Sequence, residues 1–181
     1  MPDGKPVSTF PGIALVPLTA SPKPEILRVM NDIEIARLTL VDAHELAPLV
    51  AAYTQDRKRG APRRPDEYYA ELLLSDRAAE ILGARLGDKL VGFAVFFDLP
   101  DTMTGMRAGQ LDELFVDHPV RSQGIGHALV EALADEGRNR GWTHLRWMVP
   151  EKPAASRRLA EQLAEPGTWA NYAIRIERPA G

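Results

Sequence analysis

From Asp32 onward, apolar and polar positions repeat with the periods of regular structure. Ile33, Ile35 and Leu38 alternate with Glu34 and Arg37, which predicts a strand. Leu46, Leu49, Val50 and Tyr53 recur at helical spacing behind Asp42, a residue suited to capping, while Pro48 weakens the first turn. Tyr68, Tyr69, Leu72 and Leu73 form a second helical pattern preceded by Asp66. Ala78–Leu86 and Lys89–Asp98 read as strands joined at Gly87–Asp88, a strong hairpin signal. The run Leu90–Phe97 is almost wholly apolar, as expected of a strand covered on both faces. Residues 99–109, with Pro100, Gly105 and Gly109, read as a connector, and Leu111–Val116 as the next strand. The clearest helix is Gly124–Arg140. Its Ile125, Ala128, Leu129, Ala132 and Leu133 share one face, Glu131, Asp135 and Arg138 take the other, and Gly141 ends it. Trp142–Val149 follows as a strand with Leu145, Trp147 and Val149 on one face, then a helix over Lys152–Ala164 and a final strand over Trp169–Glu177. The order β-α-α-β-β-β-α-β-α-β predicts a mixed α/β sheet rather than a doubly wound parallel one.

The first 30 residues break this regularity. Six of the fifteen prolines fall between Pro2 and Pro24, so residues 1–30 read as an extended arm and residues 31–181 as one domain. The arm's apolar patch, Ile13 to Leu18, would lie along a sheet edge or on a partner subunit of a homodimer, with a disordered tail the plainer reading. The 181 residues are 45% apolar and 26% charged, which excludes disorder for the body of the chain. With 22 Lys+Arg against 25 Asp+Glu, the net charge of −3 gives no reason to expect nucleic acid or an anionic membrane as partner. There are no cysteines, so disulfides, a thiolate nucleophile and thiolate metal sites are excluded. His44, His118, His127 and His144 show no metal-ligand spacing, and no metal is expected. No apolar run approaches the ~20 residues that span a bilayer. Gly12–Leu18 is too short and too Pro-interrupted for a secretory signal core, so a cytoplasmic protein is expected. Arg57–Arg64 is a basic loop with five Lys/Arg, read either as solvated surface or as an attractor for an anion.

Candidate chemistry concentrates between Leu111 and Gly141. The turn Arg121-Ser122-Gln123-Gly124-Ile125-Gly126 opens the best helix. Its two glycines let backbone approach a ligand, and a helix start presents unpaired N–H groups suited to phosphate. Arg121 adds a positive charge beside it. A P-loop would need Gly-Lys-Ser/Thr where this chain has Gly126-His127-Ala128, and a dinucleotide fingerprint would need a small residue at Leu129. Arg121, Gly124 and Gly126 do match a pyrophosphate loop of pattern R/Q-x-x-G-x-G/A; an ordinary strand-to-helix turn is the plainer reading of the hexapeptide alone.

The longer run L-D-E-L-F-V-D-H-P-V-R-S-Q-G-I-G-H-A-L-V resembles the coenzyme A-binding core of the GNAT (Gcn5-related) N-acetyltransferase superfamily. The resemblance extends from about Asp32 to Ile176 by element order and is specific only from Leu111 to about Val149. It implies a mixed, mostly antiparallel twisted sheet flanked by helices and splayed between two central parallel strands. It also implies acetyl-coenzyme A as co-substrate. Backbone amides of Arg121, Ser122, Gln123, Gly124, Ile125 and Gly126 would hold its pyrophosphate. Backbone groups of Leu114, Phe115 and Val116 would pair with its pantetheine arm in the splay beside Trp142–Val149.

Asp112 and Glu113 interrupt an otherwise apolar strand. Strict alternation puts Glu113 with Leu111 and Phe115, and Asp112 with Leu114 and Val116. A carboxylate turned toward low dielectric is costly and rises in pKa unless it lines a cleft. An amine near pKa 10 must lose a proton before it attacks a thioester, and a carboxylate can take it. Glu113 is therefore the candidate base or amine anchor and Asp112 its companion; a salt bridge to Arg85 or Arg146 is the plainer reading. The family's Asn and Tyr positions in the next helix fall on Pro153 and Ala160, so its usual general acid is missing, with Tyr172 a remote substitute. The expected activity is acetyl transfer directly to an amine of a small molecule or peptide. The alternatives are a catalytically silent coenzyme A sensor and an interaction domain without nucleotide.

Overall fold

A computed structural model describes residues 32–58, 66–149 and 154–167. The arm over 1–30, the basic loop beyond Lys58, Pro153, Tyr172 and the strand expected over 169–177 lie outside the described residues. The elements are β1 (Ile33–Arg37), α1 (Ala43–Lys58), α2 (Glu67–Ser75), β2 (Ala79–Leu86), β3 (Lys89–Asp101), β4 (Met106–Val116), α3 (Ile125–Arg140), β5 (Trp142–Trp147) and α4 (Ala154–Leu163). The five strands lie in the order β1-β2-β3-β4-β5. All pairs are antiparallel except β4 with β5. The mixed sheet read from the element order is the one observed.

β3 shows why its sequence is apolar throughout. Leu90, Phe93 and Val95 pack on one face with Leu46, Leu49 and Ala70 of α1 and α2. Val91, Ala94 and Phe96 pack on the other with Ile125, Leu129 and Leu133 of α3. Each fully buried side chain of this size contributes about 1.5–3 kcal/mol, so the two clusters fix the helices against opposite faces of one sheet.

Several local expectations are corrected. Asp42 does not cap α1; it ends a short 3-10 turn over Leu40–Asp42, and its carboxylate accepts from the Thr39 N–H at 2.8 Å. Pro48 sits inside α1, which continues to Lys58. In α2 the buried face is Ala70 with Leu73 and Leu74, leaving Tyr68 of the expected helical pattern 70% exposed. Residues 99–109 are not a connector. β3 and β4 continue as a ribbon to the pair Asp101↔Met106, closed by a turn with Gly105 at φ 69°. Beyond Phe97 the ribbon has no β2 partner, so Pro100 interrupts no second ladder.

The sheet opens between its parallel strands. β4 and β5 pair from Arg107↔Trp142 to Leu111↔Trp147 and no further. The Trp142 ring wedges this end together, in space that a Cβ on Gly109 or Gly137 would fill. From Asp112 onward, β4 has no β5 neighbour among the described residues.

Candidate active site

After β4, a 3-10 turn over His118–Val120 is capped by Asp117, whose carboxylate accepts from the His118 N–H at 2.9 Å. The chain then adopts left-handed backbone twice, at Ser122 (φ 63°) and Gly124 (φ 87°). The second is natural for glycine; the first costs a non-glycine residue about 1–2 kcal/mol. The first bond within α3 runs from the Ala128 N–H to the Gly124 carbonyl at 2.9 Å. The N–H groups of Ile125, Gly126 and His127 therefore have no acceptor inside the helix, and the helix dipole adds positive potential at this end. The Ile125 side chain is locked in the core at 1% exposure, so this residue offers only its backbone.

Among the described residues, the β4 edge beside this turn has no strand partner either. The Asp117 N–H donates to the Val91 carbonyl at 2.9 Å, which turns Asp117 toward β3. Alternation then turns Phe115 toward β3 and the backbone groups of Leu114 and Val116 outward, toward the gap that β5 leaves. Phe115 is instead a packing residue, 4% exposed, with ring centroids 5.9 Å from Tyr53 and 5.8 Å from Phe93.

The acidic pair departs from strict alternation. Val95 pairs with Glu113 and Phe96 with Leu111, so Asp112 is the extra residue of a bulge. Leu111 consequently packs toward α3, while Glu113 lies on the face of Phe115 and α1. Asp112 is exposed. The Glu113 side chain is 34% exposed, and its carboxylate lies 3.5 Å from Arg57 Nη2, at the outer limit of a hydrogen bond. Burial pushes its carboxyl above the ordinary carboxylate range. Arg85, one partner expected for the pair, is engaged elsewhere, with Asp42 at 2.7 Å and Glu45 at 2.8 Å. Arg146 stands opposite Gln110 in the parallel pair.

Three neighbours of these residues were not read together from the sequence, all in the last turns of α1, where Arg57, expected to open the basic loop, is helical. Arg57 Nε donates to the Tyr53 hydroxyl at 3.0 Å, and the guanidinium lies 5.3 Å from that ring's centroid. Asp56 Oδ2 accepts from Arg121 Nη2 at 2.6 Å, and its Oδ1 lies 2.7 Å from His118 Nε2. Burial opposes ionisation of Asp56, but the hydrogen bonds from Arg121 and His118 outweigh it and hold the carboxyl below its ordinary value. Arg121 is thus not a free charge awaiting an anion. Besides Asp56 it donates from Nε to the Val116 carbonyl at 2.8 Å and lies over the Phe115 ring. The spacing Tyr53–Arg57 was the available signal, since residues four apart share a helix face. His127 is only 18% exposed and lies 3.3 Å from Glu131.

Among the described residues no His, Asp or Glu cluster is arranged to hold a metal, and no helix is long and apolar enough to cross a membrane. The fold that carries this strand edge and helix N-terminus is shared with known proteins. The structure of ribosomal-protein-alanine N-acetyltransferase from Brucella melitensis biovar Abortus 2308 is 51% identical, over 80% of this chain and 99% of that one, with a TM-score of 0.74. Two further structures share the fold alone. One is an aminoglycoside acetyltransferase from an uncultured soil metagenomic sample, in complex with sisomicin (20% identity, 82% of this chain and 99% of that chain, TM-score 0.69). The other is an integron cassette protein from the mobile metagenome of V. cholerae (18% identity, 82% and 94%, TM-score 0.69). No curated protein matches the chain. The family model of the acetyltransferase (GNAT) family matches residues 46–164, from the first turns of α1 through α4 and so across the whole site, and the chain belongs to that family.

Proposed function

We propose that this chain transfers the acetyl group of acetyl-coenzyme A directly to a primary amine, and that the amine is the α-amine of an N-terminal alanine on a protein such as a ribosomal protein. The observation that carries the reading is Glu113: a half-buried carboxylate, its pKa raised by burial, set beside an open strand edge and a free helix N-terminus. The acceptor class rests on the 51% identical relative.

Bound acetyl-coenzyme A would supply a thioester carbonyl open to attack by an amine. The N–H groups of the 121–126 turn and of the start of α3 suit its pyrophosphate. The outward backbone of Leu114 and Val116 suits an amide-bearing pantetheine arm, which would lie along β4 as an added strand. An N–H of the same edge is the donor available to negative charge developing on the carbonyl oxygen. Glu113, ionised, accepts a proton from the ammonium of the acceptor, directly or through water. The sequence holds no cysteine, so no acetyl-thioester on the protein intervenes. The second proton of the attacking nitrogen passes through water to the departing thiolate, whose pKa near 8.5 makes it a mild leaving group.

Thiol release with acetyl-coenzyme A and an alanine-initiated peptide tests this. Turnover that vanishes when the peptide's α-amine is blocked supports the reading. Turnover only with small amines would overturn the acceptor class. Ala160 at the family's Tyr position favours a second reading, a silent coenzyme A sensor, and tight coenzyme A binding with no turnover on any amine would establish it.

A further inference from the structure

The turn ahead of α3 holds a left-handed serine, and such backbone persists only where the surroundings hold it. The residue before that serine, Arg121, is held from a helix far away in sequence. Asp56 of α1 spans the 3-10 turn His118–Val120 with its two carboxylate oxygens, meeting His118 at 2.7 Å and Arg121 at 2.6 Å. His118 opens that turn and Arg121 follows its last residue, so one side chain fixes both ends. Arg121 passes the constraint on to Val116, the last residue of β4. Asp56 therefore sets the β4 edge and the α3 N-terminus relative to each other. A ligand that uses both surfaces binds well only if their spacing is preset. The next residue, Arg57, reaches Glu113 and Tyr53. One turn of α1 thus touches the phosphate-type turn on one side and the carboxylate on the other.

We propose that Asp56 is a positioning residue: by gripping His118 and Arg121 it presets the 121–126 turn for the donor and ties that turn to the helix flanking Glu113. This rests on the coenzyme A reading given above. The experiment compares Asp56→Ala and Asp56→Asn with the wild type in calorimetric titration with coenzyme A, steady-state kinetics in acetyl-coenzyme A and backbone hydrogen exchange. A hydrogen bond to a charged group is worth about tenfold in an equilibrium constant, so Asp56→Ala should weaken coenzyme A by about tenfold or more. KM for acetyl-coenzyme A should rise more than kcat falls. Asp56→Asn, keeping one acceptor oxygen, should fall between. Exchange should quicken at Val120, Arg121 and Ala128, whose N–H groups are bonded across the turn and at the start of α3, and stay unchanged in the rest of α3. As a control, Asp42→Ala, which breaks one of the Arg85 pairs away from the turn, should lower Tm and leave KM alone. Asp56→Ala with unchanged coenzyme A affinity, or with a lower Tm and an unmoved KM, overturns the proposal. If Asp56→Ala fails to fold, Asp56→Asn and Arg121→Lys give the same readouts. Wild-type protein that binds no coenzyme A would sink the donor reading instead, and the exchange rates of Val120, Arg121 and Ala128 would still decide whether Asp56 holds the turn.

Discussion

Glu80 and Glu113 both stand on strands and are both largely withdrawn from water, with 20% and 34% of their side chains exposed, yet their carboxyls shift in opposite directions. Glu80 meets Arg140 through both oxygens, at 2.6 and 2.7 Å, and pairs with Arg37 as well. Hydrogen bonding from Arg140 outweighs the penalty of burial and holds the Glu80 carboxyl below its usual value. Arg140 is held in turn by Glu136 at 2.6 Å and lies over the rings of Phe96 and Trp142. That network sits at the far end of α3 from the left-handed turn and joins β1, β2 and α3. Glu113 has an arginine too, but at 3.5 Å and from an exposed side chain, so burial prevails. The contrast teaches how to sort carboxylates of one type in one sheet. A closed ion-pair network locks elements together, whereas a buried carboxylate with slack pairing is available for proton transfer.

The largest effect breaks the ligand side of this comparison and leaves both carboxylates in place. Gly124 holds φ 87° at the start of α3. Gly124→Glu strains that backbone and sets a negative charge at the helix N-terminus. Coenzyme A binding is expected to disappear from calorimetric titration. Binding that survives would reject the turn as the pyrophosphate site.

The next effect separates the two glutamates directly. Glu113→Gln should lower turnover by about 10²–10⁴-fold, the usual worth of a positioned acid–base group, while coenzyme A affinity stays as in the wild type. Glu80→Gln should leave turnover per folded molecule unchanged. In the wild type, turnover should fall on the acid side at a pH above the ordinary carboxylate range, because Glu113 must be ionised to accept a proton and burial raises its pKa. An acid limb unchanged in Glu113→Gln would assign it to another group.

These assignments were legible in the sequence to unequal degrees, and the reason is range. The α3 helix is a local signal and was read correctly, with Gly124 at its start in left-handed backbone. The apolar run of β3 likewise announced two covered faces. The face of Glu113 was misread relative to Leu111 because the bulge at Asp112 arises from the register with β3, which strict alternation along β4 cannot register. Residues 99–109 looked like a connector because Pro and Gly punctuate them, but a ribbon with one partner strand tolerates proline. Asp56 and Arg57 carry an ordinary helix surface pattern and Tyr53 an ordinary core-facing one; only the fold sets α1 against the end of β4.

The smallest effect is on stability, and its sign differs between the two glutamates. Glu113 has a raised pKa in the folded state, so between the unfolded and folded values the native protein binds more protons than the unfolded chain, and stability falls as pH rises through that window. At neutral pH its ionised form therefore opposes folding. Glu80 has a lowered folded pKa; its contribution is present above the unfolded value and is lost as pH falls through the folded one. Urea denaturation at pH 4 and pH 7.5, values set about the ordinary Glu pKa, should accordingly show Glu113→Gln more stable than the wild type at the higher pH, with the gap narrowing in acid. Glu80→Gln should be less stable at the higher pH, and its deficit should narrow in acid for the opposite reason, because the wild type loses the ion pairs that the variant already lacks. Glu113→Gln less stable than the wild type at pH 7.5 would mean that Arg57 pairs tightly with Glu113 in solution, and the distinction between a closed and an open carboxylate would fall.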